Sequence, residues 1–244
     1  MAWQTLSVHF KQSYDGGYRY LDRCGEFMLA ATEKLDLIPG QISPNGAQME
    51  LPEQGIQVNC DSVNLAVMQE LPTEDTALFL NLCKGLSNLV AEHFQPKGIV
   101  KNGFAWKSFW AFQQPEEMFA ATLKLGGGYH SELGKLLGIV PEYKNLDCMF
   151  ASGSKGYHVV LQPTTFEKVS VTKQSATFQA TKSEKNRIDR RNKFADRVRN
   201  IMSHALILEV DVVEEDPPQS LSLEKHFAEL ERMSNMLRNI FLVK

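Results

Sequence analysis

The stretch NLDCMFASGSKGYHVVLQPT, residues 145–164, predicts two strands joined by a tight turn. Gly153-Ser154-Lys155-Gly156 separates two short apolar runs, and such a glycine-containing link is typical of a β-hairpin. Strands that follow each other through a hairpin pair antiparallel. This stretch therefore favours an antiparallel α+β fold over the regular strand-helix alternation of a doubly wound nucleotide-binding fold.

The rest of the chain contains further runs of both kinds. Alternating, β-branched or aromatic runs predict strands over residues 3–11, 47–51, 55–60, 63–71, 99–113, 168–181 and 203–213. Apolar residues at helical spacing predict helices that end near Leu35 and near Phe94, a charged helix over 182–200 and a last helix after Pro218. The same spacing places Leu21 on the buried face of the first helix and Leu78 on that of the second. Short helices are also expected after Pro115 and over residues 130–138.

This order of elements predicts two lobes of mostly antiparallel sheet covered by helices. Residues 1–114 read as a β-α-β-β-β-α-β lobe, and residues 115–244 read as an α-β-β-β-α-β-α lobe. The similar order suggests ferredoxin-like halves, although no residue-level repeat supports a duplication. The two predicted lobes also differ in charge.

Charge is unevenly distributed along the 244 residues, whose formal net charge is −3. Residues 1–122 hold 8 basic and 14 acidic side chains, a net of −6, whereas residues 123–244 hold 18 and 15, a net of +3. We expect the two halves to contact different partners, or each other. No run of 18 apolar residues occurs, so we expect no membrane span.

The strongest local signal is KSEKNRIDRRNKFADRVR, residues 182–199, with eight basic and three acidic side chains and a net of +5. It predicts a basic amphipathic helix. The side chains expected to bind a polyanion or a protein partner are Arg187, Arg190, Arg191, Lys193 and Arg197. A plain solvated surface and docking on the acidic first lobe remain alternatives.

The segment NGFAWKSFWAF, residues 102–112, is rich in aromatic residues. Gly103, Phe104, Ala105, Trp106 and Phe109 fit the frame of the longer aromatic motif of RNA-recognition domains, which this segment resembles over eight residues. The resemblance implies that bases stack on exposed rings, and the candidates are Trp106, Phe109 and Trp110. A core strand packed under helices explains the same residues.

Gly126-Gly127-Gly128 stands before a predicted short helix, with His130 two residues beyond. Free backbone amides in such a loop can bind an anion. The Walker pattern fails, because Gly134-Lys135 is followed by Leu136. A hinge between the lobes is the alternative.

Signatures of catalysis and of cofactor binding are missing from the sequence. The four cysteines form no CxxC pair, the six histidines show no metal-binding spacing, and no nucleophile motif occurs, so we expect neither a metal nor a cofactor. Glu209 and Asp211 are predicted to share one face of a strand, where they would hold a magnesium ion, act as acid and base, or simply face solvent.

These observations favour a non-catalytic binding or assembly protein that contacts a protein partner or itself. A nucleic-acid-binding protein using residues 182–199, with possible RNA or DNA processing, is the alternative. A third reading is a small-molecule enzyme with its site between the lobes near residues 126–130. The opening MAWQTLSVHF resembles a strand more than a secretory leader, so we expect a cytoplasmic location.

Overall fold

The computed structural model of the chain describes the central strands and three long helices. It covers residues 3–16, 19–72, 76–112, 114, 116–118, 121, 146–165, 185, 188–189, 192, 204–217 and 222–240. Within them the chain forms nine β-strands, three long α-helices and one 3₁₀ turn, and residues 116–118, 121, 185, 188–189 and 192 also have helical backbone.

The described strands all belong to one antiparallel sheet. They are β1 (Gln4–Asp15), β2 (Ile38–Ser43), β3 (Gly46–Leu51), β4 (Ile56–Cys60), β5 (Asn64–Glu70), β6 (Gly98–Phe112), β7 (Leu146–Ser152), β8 (Lys155–Thr165) and β9 (His204–Glu215). The helices are α1 (Tyr20–Leu35), α2 (Ala77–His93) and α3 (Leu223–Ile240), and the 3₁₀ turn is Pro52–Gln54. The sheet order is β2-β3-β4-β5-β1-β6-β9-β8-β7, which confirms the α+β class.

The main core lies between one face of the sheet and the three helices. Phe227 of α3 contacts Phe104 and Trp106 of β6 as well as Phe79 of α2. Phe27 of α1 packs against the end of α2. Burying each such ring contributes roughly 1.5–3 kcal/mol, so this aromatic contact holds α3 on the central strands.

The sheet is continuous across the boundary between the two expected lobes. Strand β6 of the first expected lobe pairs directly with β9 of the second, from Lys101 opposite Glu215 to Phe112 opposite His204. In the sheet order β1 lies on the other side of β6, and β8 lies on the other side of β9. One antiparallel sheet is therefore established, whereas separate lobes and ferredoxin-like halves are not confirmed.

The β-hairpin predicted over residues 145–164 is present. Ser152 of β7 pairs with Lys155 of β8, so the turn has only two central residues, Gly153 and Ser154. Gly153 has φ 63°, while Ser154 keeps a negative φ, the pattern of a type II′ turn with glycine first. The predicted hairpin is confirmed, with a turn shorter than the four residues expected.

Two helix positions differ from the sequence expectation. Leu21 and Leu78 were expected in the core, but their side chains are 69% and 42% exposed. In α1 the buried line is Tyr20, Cys24, Phe27, Met28 and Ala31. Leu21 follows Tyr20 by one residue, or about 100° around the helix, and therefore points away from this line.

Strand β2 was not expected, because Pro39 and Gly40 weaken a strand signal. It occupies an edge of the sheet, where a proline removes no internal ladder bond, and its pairing with β3 has an irregularity after Pro39. The expected strand 168–181 and the expected helix over 130–138 lie outside the described residues. No helix in the described ranges is long and apolar enough to span a membrane.

Candidate binding face of the sheet

Side chains alternate between the two faces of the sheet, and we call the face without described helices the helix-free face. The strand registers arrange its side chains in rows that cross the strands. One row places His9, Ala105, Asp211 and His158 opposite one another on β1, β6, β9 and β8. The helix-free face thus brings together residues up to 202 positions apart in the sequence.

A row of small residues runs beside this polar row. It consists of Ala66, Lys11, Gly103, Val213, Gly156 and Ala151 on six adjacent strands. A side chain added at Gly156 would meet nothing within 4 Å. At Gly103 an added side chain would lie 3.2 Å from Cγ2 of Val213. Lys11 is the only long side chain of this row, which we call the small-residue trough.

The centre of the helix-free face carries a close ion pair. Lys107 of β6 and Glu209 of β9 are directly opposite, and Lys107 Nζ lies 2.9 Å from Glu209 Oε2. Both side chains are about one-third exposed or less, at 32% and 26%. A pair that is partly shielded from water interacts more strongly than a fully exposed one.

His158 joins the three strands at one side of the face. Its Nε2 lies 2.8 Å from Asp147 Oδ1 on β7, and its Nδ1 lies 3.4 Å from Asp211 Oδ2 on β9. The hydrogen bond to Asp147 is the main reason that the pKa of His158 is raised; burial opposes this shift, and the hydrogen bond to Asp211 adds to it. A protonated ring donates to both carboxylates.

Asp211 is the most buried acid of this group. Burial, followed by the negative charge of Glu209, raises its pKa, while His158 acts in the opposite direction. Its Oδ1 is buried and has no hydrogen-bond partner among the described residues. Within the described part of the chain, Asp211 therefore keeps one oxygen without a hydrogen-bond donor.

His9 lies on the other side of Ala105 and has different surroundings. Its Nε2 is 2.8 Å from Ser7 Oγ on the same strand. Burial and then the positive charge of Lys107 lower its pKa, so the ring is neutral near pH 7. Ser7 is buried, which leaves little room for a substrate at its hydroxyl and disfavours a nucleophilic Ser-His pair.

A small apolar cluster lies beyond the charged rows. Phe109 and Ile207 are buried there and pack with Leu6, Leu71 and Ala111. Along β6 the helix-free face thus passes from small residues through Lys107 to Phe109. The charged rows lie between an open trough and an apolar cluster.

The helix-free face is acidic overall. Its described strand positions hold three lysines (Lys11, Lys101, Lys107) and seven carboxylates (Asp15, Glu50, Glu70, Asp147, Glu209, Asp211, Glu215), a net of −4 with neutral histidines. Two of the lysines already pair with Glu209 and Glu215. Such a face favours cationic ligands and repels phosphates.

At the β2–β4 end of the sheet lies a depression of about 280 Å³. Gln41, Gln48 and Asn59 line it, together with the β2–β3 turn and Asp61. Both oxygens of Asp61 already accept hydrogen bonds, from the backbone amides of Val63 and Asn64 and from the side chain of Asn64. This depression offers amide groups but no unshielded charge.

A second polar group is buried on the helix-bearing face. Gln12 Nε2 donates to Asn102 Oδ1 at 3.0 Å, and Asn102 lies opposite the buried Glu214. His226 of α3 is also buried, and neither of its ring nitrogens has a partner among the described residues. Burial lowers the pKa of His226, which contacts the Phe104 ring edge-to-face at 5.5 Å.

The aromatic candidates of β6 are distributed over both faces and are largely covered. Trp106 is 6% exposed and lies under α3, where the Arg238 guanidinium sits 5.3 Å from its ring centre. Phe109 is 2% exposed in the apolar cluster, and half-buried Trp110 packs against Trp3 and Phe112. Little ring surface is therefore available for stacking with bases, as expected for a covered strand.

Two other groups of predicted site residues lie outside the described residues. They are Arg187, Arg190, Arg191, Lys193 and Arg197 of the basic segment, and Gly126, Gly127, Gly128 and His130 of the glycine loop. Within the basic segment, Lys185, Ile188, Asp189 and Asn192 have helical backbone. Their helical state agrees with the helix predicted for 182–199 but does not test its binding role.

Only some residues of the helix-free face were predicted from the sequence to lie together. The shared face of Glu209 and Asp211 is confirmed, because Leu208, Val210 and Val212 are buried on the opposite face. Strand β9, which carries Glu209 and Asp211, lies inside the sheet and not at its edge. His158, Asp147 and His9 were missed, since only the pairing of β7, β8 and β9 and of β1 with β6 brings them close.

Metal binding and relationships to other proteins give no further assignment. In the part of the chain that the structure describes, no three His, Cys, Asp or Glu side chains are placed to hold a metal ion. Comparison with protein-family models and with curated protein sequences finds no match to this chain.

Proposed function

We propose that this chain is a non-catalytic binding or assembly protein whose helix-free face receives a basic segment of a protein partner or of a second copy. The single observation behind the proposal is the acidic charge of this face, whose described strand positions hold three lysines against seven carboxylates. Complementary charge steers association and fixes orientation more than it adds raw affinity.

The shape of the helix-free face supports an elongated ligand. Gly103, Gly156 and the neighbouring residues form a row of mostly small side chains that crosses the strands, and the acidic rows run along one side of it. A helix with arginines on one side would place its backbone over the small residues and its charges over Glu209 and Asp211. Arginine suits this role because its planar guanidinium bonds carboxylates with two N–H groups.

The chain itself contains a segment with this chemistry. Residues 182–199 carry a net charge of +5, with Arg187, Arg190 and Arg191 close together in sequence. A second copy would therefore meet the chemical requirement, as would any partner with a similar arginine-rich helix. Charge segregation between the halves of the sequence then serves assembly.

Nucleic-acid binding through residues 182–199 remains the second candidate, favoured by the same +5 charge. The acidic helix-free face would not take part in it. Mixed-length RNA and DNA should be tested over a salt series, with R187A/R190A/R191A beside the wild type. Affinity that falls with both salt and mutation would favour this candidate, and cleavage assays would follow.

The proposal includes two further expectations, one about the division into lobes and one about the location in the cell. The charge difference between the two halves of the sequence supports the division into an acidic lobe, 1–114, and a lobe with the basic segment, 115–244. A cytoplasmic location fits the four cysteines, since each is a free thiol and three of them are buried.

The direct test is fluorescence anisotropy with a labelled peptide of residues 182–199. We expect it to bind the whole protein, and we expect E209Q/D211N to weaken binding about three- to tenfold. The matched control is D22N/E33Q, which removes two carboxylates from the exposed side of α1. Equal weakening in both variants would indicate non-specific charge attraction and contradict the proposal.

A peptide in which the three arginines 187, 190 and 191 are replaced by glutamine is the second control. It should bind weakly to every variant. If R187A/R190A/R191A in the protein strengthens binding of the unmodified peptide, the chain's own segment competes for the helix-free face.

A further inference from the structure

The outermost strand β7 has the features of an edge that pairs with another strand. In the described part of the sheet, β7 pairs with β8 on one side only. Met149 and Phe150 point to opposite faces and are 78% and 58% exposed. An edge with free backbone groups and large apolar side chains is a template for another strand.

The opposite edge of the sheet is protected by its sequence. Strand β2 contains Pro39, which lacks an N–H donor, and its ladder is interrupted between Pro39 and Ile42. Strand β7 contains neither proline nor lysine, the usual devices that block edge pairing. The two edges are therefore chemically different.

The sequence of β7 is complementary to itself in the antiparallel direction. A two-fold axis at Met149, perpendicular to the sheet, would place Met149 opposite Met149 of the copy. The same register sets Phe150 against Cys148 and Asp147 against Ala151. It matches the apolar residues at the centre of the strand with one another, uses the whole strand and puts no like charges opposite each other.

We propose that β7 pairs antiparallel with β7 of a second copy about an axis at Met149, which joins two sheets edge to edge. The inference deepens the proposed assembly role and rests on it. Because the axis is perpendicular to the sheet, the two helix-free faces lie on the same side of the joined sheet. The dimer would present one acidic surface with two copies of the Asp147–His158–Asp211 group.

Analytical ultracentrifugation of the whole protein over a concentration series tests this interface. We expect a monomer–dimer equilibrium, and we expect M149K, which places two lysines opposite each other, to raise the dimer dissociation constant roughly tenfold or more. The matched control is M236K, an exposed methionine on α3, which should leave the equilibrium unchanged. A monomeric wild type, or equal effects of both variants, would overturn the inference.

Cross-linking tests the register. Opposite residues of antiparallel strands have Cα atoms about 4.5–5.5 Å apart, within the range of a disulfide. M149C should therefore form a disulfide-linked dimer under mild oxidation, while M236C should not. A dimer that resists M149K and is lost with I42K on β2 would assign the contact to the other edge and contradict the inference.

The peptide titration separates failure of this interface from failure of the proposed function. A monomeric M149K that still binds the 182–199 peptide keeps the helix-free face as a binding surface. If the dimer forms but neither state binds the peptide, the interface stands without the proposed basic ligand.

Discussion

His158 Nε2 lies 2.8 Å from Asp147 Oδ1 across the β7–β8 hairpin. The second ring nitrogen faces Asp211 of β9, so one imidazole connects three neighbouring strands. Its charge decides how strongly it connects them, because a neutral imidazole donates only one N–H and has no attraction for the second carboxylate.

We expect His158 to titrate above the ordinary histidine pKa of about 6.5. Asp147 is the largest cause, so D147N should lower the pKa of His158 more than D211N does. The chemical shift of the ring C–H of His158, followed by NMR against pH, measures both effects. A wild-type pKa at or below 6.5 would contradict the expected role of the two carboxylates.

The sign of the linked stability follows from the raised pKa. The folded state holds the proton of His158 more tightly than the unfolded chain does. The contribution of this proton to the free energy of unfolding is therefore fully present below about pH 6.5, and it is lost as the pH rises through the folded-state pKa. Since Asp147 is largely exposed, the contribution should stay below about 1 kcal/mol. In H158A this part of the pH dependence of urea unfolding should disappear.

His226 should have the opposite effect. Its pKa is lowered mainly by burial, and the nearby charged groups are Glu214, Lys155 and Glu229. The unfolded chain takes up a proton near pH 6.5 that the folded state resists, so stability falls as the pH drops below about 6.5. H226F should reduce this acid sensitivity in urea unfolding, and an unchanged pH profile would show that His226 is not buried as a neutral ring.

The Lys107–Glu209 pair should contribute measurably to stability. A double-mutant cycle of K107A and E209A should give a coupling of about 0.5–1 kcal/mol, because both side chains are partly shielded from water. Lys101–Glu215 provides the control, with a 3.6 Å separation and exposed side chains. The coupling of Lys101 and Glu215 should be smaller. Equal couplings would indicate that the centre of the helix-free face is as exposed to water as its end.

Two glycines should respond oppositely to alanine. Gly25 lies inside α1 with open space around its Cα, so G25A should stabilise the protein by about 0.5–1 kcal/mol through helix propensity. Gly153 has φ 63° in the β7–β8 turn, a left-handed conformation that disfavours a side chain. G153A should therefore destabilise the protein by about 1–2 kcal/mol. Thermal or urea unfolding of both variants checks the contrast, which would fail if the two changes had the same sign.

Local patterns predicted the elements better than their arrangement. Alternation in 203–213 correctly assigned Glu209 and Asp211 to one face, because side-chain direction in a strand depends only on neighbouring residues. The β7–β8 register also has a local cause, the Gly153-Ser154 turn. These parts of the fold are encoded within about twenty residues.

Contacts between distant segments could not be predicted in this way. His204 pairs with Thr165 on one side and with Phe112 on the other, and no local pattern specifies these registers. They bring His158 to Asp211 and Lys107 to Glu209. The same pairings join the two expected lobes into one sheet. Helical periodicity alone also placed Leu21 in the core, although its side chain is exposed.

Binding of a basic segment to the helix-free face can be mapped by NMR of the backbone amides during titration with the 182–199 peptide. We expect saturable shifts that concentrate at Gly103, Ala105, Asp211 and Gly156, in and beside the small-residue trough, and that weaken in E209Q/D211N. Shifts confined to α1 and α3, or the same shifts in the variant, would contradict it.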